Sequence, residues 1–172
     1  MCNGNCKCGN KKELNINIKY FEGAEELVIN PKGDCIDVYS NVDIFIPYMG
    51  YAMIPLGFAL ELPLGKNAKL YPRSSTFKTW GIIQTNSVGY IDNSYSGDTD
   101  QWHMPVQCTM PMQTIKTEVN GQKVTMSGTW IKKGDKIAQF EICDVPKHPT
   151  LTKVDKLDGF SRGGFGTSGT TK

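Results

Sequence analysis

Histidine is almost missing from this chain: 172 residues contain only two, His103 and His148. Neither has a nucleophilic Ser or Cys motif around it, and both are read as surface or packing residues. Long apolar runs are missing as well. The longest, around Tyr51 to Gly65, is broken by Pro55, Glu61 and Pro63 and falls short of the roughly 20 residues that a bilayer span needs. There is no surplus of charge of either sign. A formal net charge of +2 is too small for the basic face that nucleic acid or a membrane surface would demand, so neither is expected as a partner and any bound anion should be small. No window of a dozen residues keeps a helical period without Gly or Pro interrupting it, and helix is expected to be a minor component. The opening MCNGNCKCGNKK lacks the apolar core of a signal peptide, which gives a cytoplasmic expectation.

What the chain does have is punctuation. Its 18 glycines and 9 prolines separate short segments with strand-like alternation: 14–20, 35–40, 43–47, 58–62, 68–72, 122–126 and 136–142. Short strands with frequent turn signals indicate an all-β sandwich or barrel, and the length suits one domain with a proper core. Three regions follow. Residues 1–12 form an N-terminus rich in Asn, Gly and Lys; 13–157 form the β-domain; 158–172 form a glycine-rich tail with too few core-forming residues to pack as a strand. Within the domain, 98–133 is long and polar, carries Trp102, His103 and a hairpin signal at Asn120-Gly121, and is expected as an elaborated loop or insertion. Trp80 and Trp130 are assigned to packing. Cys2, Cys6 and Cys8 crowd the start of the chain, but a structural zinc site needs four ligands and no fourth Cys or His lies nearby, so no metal site is assigned.

Chemistry concentrates in a few motifs. NSVGYIDNSYSG, 86–97, sets a glycine that permits close backbone approach before an anchoring Ile91, the carboxylate of Asp92 and the ring of Tyr95. YPRSS, 71–75, places Arg73 beside the hydroxyls of Ser74 and Ser75, which suits phosphate oxygens because guanidinium offers paired donors. GDKIAQF, 134–140, leads from a turn into a strand carrying the amide of Gln139. RGGFGTSG, 162–169, offers backbone N–H groups to phosphate and an aromatic face at Phe165.

In this order and spacing the motifs resemble those of the homotrimeric dUTP pyrophosphatase family. Asp37 in DCIDVYS is similar to the first-motif aspartate, PRSS to the second motif, NSVGYIDNSYSG to the third, GDKIAQ to the fourth and GGFGTSG to the fifth. The resemblance implies a distorted antiparallel β-barrel or jelly-roll subunit, three copies of which share active sites that cut dUTP to dUMP and pyrophosphate. It implies that Asp92 activates the water attacking the α-phosphorus, a general-base role. Tyr95 would exclude a 2′-hydroxyl, and Asn86 with the backbone of Gly89, Tyr90, Ile91 and Asp92 would read uracil. Arg73, Ser74 and Ser75 would hold the phosphates from a neighbouring subunit, and Gln139 would add a further polar contact. Arg162, Phe165 and Gly166 would belong to a tail that closes over the nucleotide. Magnesium would be held mainly by the phosphates and water, with no protein cage.

The chain departs from the family pattern at three places. Arg162 lies two positions after the point, Phe160, where the fifth-motif arginine is usual. Lys136 stands where the fourth motif usually carries arginine. The 36 residues between Gly97 and Gly134 exceed the compact family form and look like insertions in phage and prophage enzymes. Two rivals are kept: a dCTP deaminase of the same fold, and a nucleotide-responsive binding protein gripping a protein partner through 98–133.

Overall fold

The computed structural model describes residues 14–161. Twelve strands appear in chain order: β1 Asn17–Tyr20, β2 Ile36–Tyr39, β3 Ile44–Pro47, β4 Tyr51–Pro55, β5 Phe58–Glu61, β6 Lys66–Pro72, β7 Ile82–Gln84, β8 Gly89–Asp92, β9 His103–Cys108, β10 Gln113–Val119, β11 Gln122–Ile131 and β12 Lys136–Asp144. One helix, α1 Thr76–Trp80, stands between β6 and β7. All strand pairings are antiparallel. They form sheets ordered β1-β5, β10-β11-β3, β2-β12-β6-β8 and β4-β9-β7 around one core. Each of the seven alternating stretches read from the sequence contains a strand, and no helix among the described residues is long and apolar enough to cross a membrane.

Side-chain alternation decides which face of each strand is buried. In β9, Met104, Val106 and Cys108 point inward while His103, Pro105 and Gln107 do not. The core centres on Phe58, Trp102 and Phe140, whose ring centroids lie 5.0 to 5.9 Å apart. Transfer from water stabilises each such side chain by about 1.5–3 kcal/mol, and each tilted ring contact adds about 0.5–1.5 kcal/mol.

The stretch 98–133, expected as a loop, is built otherwise. It contributes Trp102, 2% exposed, to the centre of the core, then β9, which joins β4 to β7. Only beyond β9 does the chain extend as the β10–β11 hairpin. Its turn is the expected one: Asn120 and Gly121 have φ of 52° and 79°, the left-handed pair that a two-residue hairpin requires. His103 is half-buried, with its Nδ1 2.8 Å from the Gln101 carbonyl, and His148 is exposed. Trp80 and Trp130 are only half-buried. Trp80 donates through Nε1 to Asp135, and Trp130 packs on Phe45 beneath the Lys132 ammonium.

The outer face of the β4-β9-β7 sheet is unusually apolar. Tyr51 and Ile83 flank Gln107 across the sheet, Met53 lies beside Pro105, and Tyr48 and Met49 continue the exposed surface. Patches of this kind mark association surfaces.

Candidate active site

Four of the residues named in the sequence, Asp37, Arg73, Lys136 and Gln139, come together where β2, β12 and the end of β6 meet. Gln139 lies opposite Asp37 on one side and Tyr71 on the other. Arg73 follows directly on β6, and its Nε donates to Asp37 Oδ1 at 2.9 Å. Lys136 Nζ approaches the other carboxylate oxygen at 3.5 Å, and Arg73 Nη1 donates to the Lys136 carbonyl at 3.2 Å. Two cations thus share the Asp37 carboxylate, and the guanidinium keeps donors that these contacts leave unused. Asp37, Arg73, Lys136 and Gln139 line a concavity of about 690 Å³ together with the 28–35 loop. Such a site suits phosphate oxygens. Ser74 and Ser75 are exposed at the start of α1, beside Arg73.

A residue not singled out in the sequence ties this turn down. Thr76 is fully buried; its Oγ1 accepts from the Arg73 amide at 2.9 Å and donates to the Ile137 carbonyl at 2.8 Å. Because Ile137 neighbours Lys136, the arginine turn and the fourth-motif strand are fixed to one another.

The second cluster lies on β8. This strand is at the edge of its sheet, paired only with β6, so one side of the Gly89–Asp92 backbone keeps its N–H and C=O groups free for a ligand. Gly89 sits where a Cβ would come within 3.1 Å of Leu70 Cβ, which accounts for glycine there. Tyr90, Ile91, Asp92 and Tyr95 line a concavity of about 310 Å³. The Asp92 carboxylate is exposed, yet it is fixed by the hydroxyl of Ser94 and by the Ser94 amide at 2.9 Å. The Ser94 hydroxyl first, then its amide and a Tyr95 backbone contact, hold the Asp92 carboxyl below the usual 3.8, against a small desolvation effect. Tyr95 is oriented by donating to the Gln101 carbonyl at 3.1 Å. Ser94 was not assigned a role from sequence, although an Asp-x-Ser step is the local signal for such a turn.

The two clusters are far apart within one chain. Asn67 lies opposite Asp92 across the β6–β8 ladder, whereas Arg73 stands six positions further along (73 minus 67). At about 3.3 Å per residue this is roughly 20 Å, much longer than the span from the α- to the γ-phosphorus of a triphosphate. Asn86 is exposed in the turn before β8. Arg162, Phe165, Gly166 and the cysteines at 2, 6 and 8 lie outside the described residues. Among the described residues no group of three or more His, Cys, Asp or Glu side chains is arranged to hold a metal.

No family model matches the chain. It is 39% identical, over 91% of its length and 99% of the relative's, to the SPbeta prophage-derived deoxyuridine 5'-triphosphate nucleotidohydrolase YosS of Bacillus subtilis. Its fold is that of the Staphylococcus bacteriophage 80alpha dUTPase solved with dUpNHpp, with TM-score 0.71 and 20% identity over 90% of this chain and 98% of that one. A dUTPase from phage phi11 of S. aureus, described with a structural Mg(II) ion, matches with TM-score 0.67 and 20% identity over 85% of this chain and all of that one. With the third-motif strand β8 and its Asp92 turn, the arginine turn and the antiparallel fold in place, and with the prophage relative covered almost end to end, the chain belongs to the deoxyuridine 5'-triphosphate nucleotidohydrolase, or dUTPase, family.

Proposed function

We propose that the chain hydrolyses dUTP to dUMP and pyrophosphate, limiting uracil entry into DNA, with Asp92 orienting and deprotonating the water that attacks the α-phosphorus. The observation that carries this reading is the Asp92 carboxylate, ionised and anchored by Ser94 beside the free edge of β8. A base held in one rotamer spends no reorganisation when the proton moves. The free backbone of Gly89, Tyr90 and Ile91, with Asn86, reads uracil, and Tyr95 closes the space a 2′-hydroxyl would need.

Arg73, Ser74, Ser75 and Gln139 hold phosphate oxygens from a neighbouring subunit of a homotrimer. The roughly 20 Å between the clusters supports a shared site, and the apolar outer face of β4-β9-β7 supplies association surface. Arg162, Phe165 and Gly166 of the tail cover the nucleotide and exclude water. The donor set fits magnesium held mainly through triphosphate oxygens and water; when bound, the ion would supply charge neutralisation.

The test is pyrophosphate release from dUTP, with UTP, dCTP and dTTP as controls, by the wild type and Asp92→Asn. Turnover of the variant should fall by about 10² to 10⁴ with the trimer intact. A variant keeping more than a tenth of the activity removes Asp92 from the base role, and ammonia release from dCTP would support the deaminase rival. A second role, gripping a protein partner, attaches to the β10–β11 hairpin, where Ile115, Val124 and Met126 share one face. Deleting 113–127 should spare hydrolysis while abolishing such capture.

A further inference from the structure

The turn that carries Asn86 is supported from below by a buried amide. Gln84, the last residue of β7, is 6% exposed. Its Nε2 donates to the Leu70 carbonyl at 3.1 Å and to Asn86 Oδ1 at 2.8 Å. Its own carbonyl accepts from the Ser87 amide at 3.2 Å. Leu70 lies opposite Gly89 across the ladder, and a Cβ on Gly89 would stand 3.6 Å from Gln84 Nε2. Gln84 therefore sits directly beneath the start of the base-reading strand, contacting both its support and the side chain ahead of it.

The direction of these bonds is determined. A backbone carbonyl can only accept, so Leu70 compels Gln84 to present its NH₂ group rather than its oxygen. The second hydrogen of that NH₂ then meets Asn86, which must answer with Oδ1. With its oxygen occupied, Asn86 keeps Nδ2, a pure donor, for whatever lies beyond. The cost of the arrangement is visible: Gln84 Oε1 is buried with no hydrogen-bond partner among the described residues. An apolar side chain of the same length would fill the space without that orphaned acceptor, so packing alone does not account for glutamine here.

Resting on the reading that Asn86 faces the base, we propose that Gln84 is the positioning residue that sets uracil over cytosine. It does so by locking the Asn86 amide with its donor toward the 4-position of the pyrimidine. Uracil has a carbonyl oxygen there and completes the chain of donors and acceptors that begins at Leu70. Cytosine has an amine there, which would face a second donor and leave both unpaired in a closed site. The polarity of a fixed backbone carbonyl is thus relayed through two amides to the ligand.

The experiment is Gln84→Met in the full-length enzyme, measuring kcat and KM for pyrophosphate release from dUTP and from dCTP, with Asn86→Ala in parallel. Gln84→Met should raise KM for dUTP with little change in kcat, because Asp92 is untouched. The dUTP-over-dCTP ratio of kcat/KM should fall by about tenfold or more, the worth of one buried hydrogen bond. A folded trimer with an unchanged ratio overturns the proposal. A lost ratio in Asn86→Ala with none in Gln84→Met overturns it too, while leaving Asn86 at the base. No change in Asn86→Ala shows that the underlying reading has failed. Should Gln84→Met not assemble, the side-chain amide resonances of the wild type decide. Adding dUMP should shift the Asn86 Nδ2 protons while dCMP does not, and equal shifts with both overturn the inference.

Discussion

Two inactive variants should repair one another. Arg73 follows β6 at one end, and Asp92 lies opposite Asn67 at the other, so a single subunit holds them roughly 20 Å apart. If one nucleotide uses both, it takes them from two chains. On the proposed roles, Asp92→Asn removes the base, and Arg73→Ala removes the phosphate contact and leaves Asp37 to Lys136. Each homotrimer should lose most of its activity. In trimers assembled at random from equal amounts, a site works when its Arg73 donor is an Asp92→Asn chain and its Asp92 donor is an Arg73→Ala chain. One half times one half restores about a quarter of the sites in a symmetric ring. Co-expression with two affinity tags isolates the mixed trimers, in which about one site in three is complete, and pyrophosphate release from dUTP reads the recovery. Mixed trimers verified by mass that show no activity above either parent would refute the shared site, since a site within one chain gains nothing from mixing.

Other outcomes follow from the same geometry. Because the Ser94 hydroxyl is the main cause of the low Asp92 value, and the base works ionised, wild-type kcat/KM should fall on the acid side only below the ordinary carboxylate range. Ser94→Ala should move that limb to higher pH, and an unmoved limb would separate Ser94 from the base. Replacing Tyr95 by alanine should raise UTP use relative to dUTP in competition assays; an unchanged ratio removes Tyr95 from sugar selection. Phe140→Ala takes one ring from the buried trio and should destabilise the subunit by about 3–5 kcal/mol, read as a shifted denaturant midpoint. The Tyr71 phenol donates to Glu141 and is pushed up to about 12 by that bond. The neutral form is thus favoured by folding, so this contribution is present below pH 10 and lost as pH rises toward 12. Spectrophotometric titration should show one late tyrosine that Glu141→Gln brings back toward 10.

Local signals were legible in the sequence because their causes are local. Alternation in 136–142 and 68–72 shows which side chains share a face, and Asn120-Gly121 announces its turn through backbone sterics. The motif 86–97 puts Asp92 and Tyr95 in one turn by spacing alone. Signals failed where polar residues on the outer face masked a strand. In β9, His103, Pro105 and Gln107 alternate with Met104, Val106 and Cys108, so a core strand read as polar loop, with Trp102 left inside that loop. Register across distant strands was beyond reach for a different reason. Nothing near Gln84 in the chain says that its neighbour is Leu70, and nothing near Arg73 or Lys136 says that both meet Asp37. Those partners are chosen by which strands pair and in which register, a choice made by burial summed over the whole core. The sequence by itself determined the strand-rich class, the turn chemistry and which carboxylate, arginine and amide lie within the motifs. Only tertiary structure decided that Asp92 and Arg73 stand at opposite ends of β6, because pairing positions separated in the chain is a property of the folded sheet.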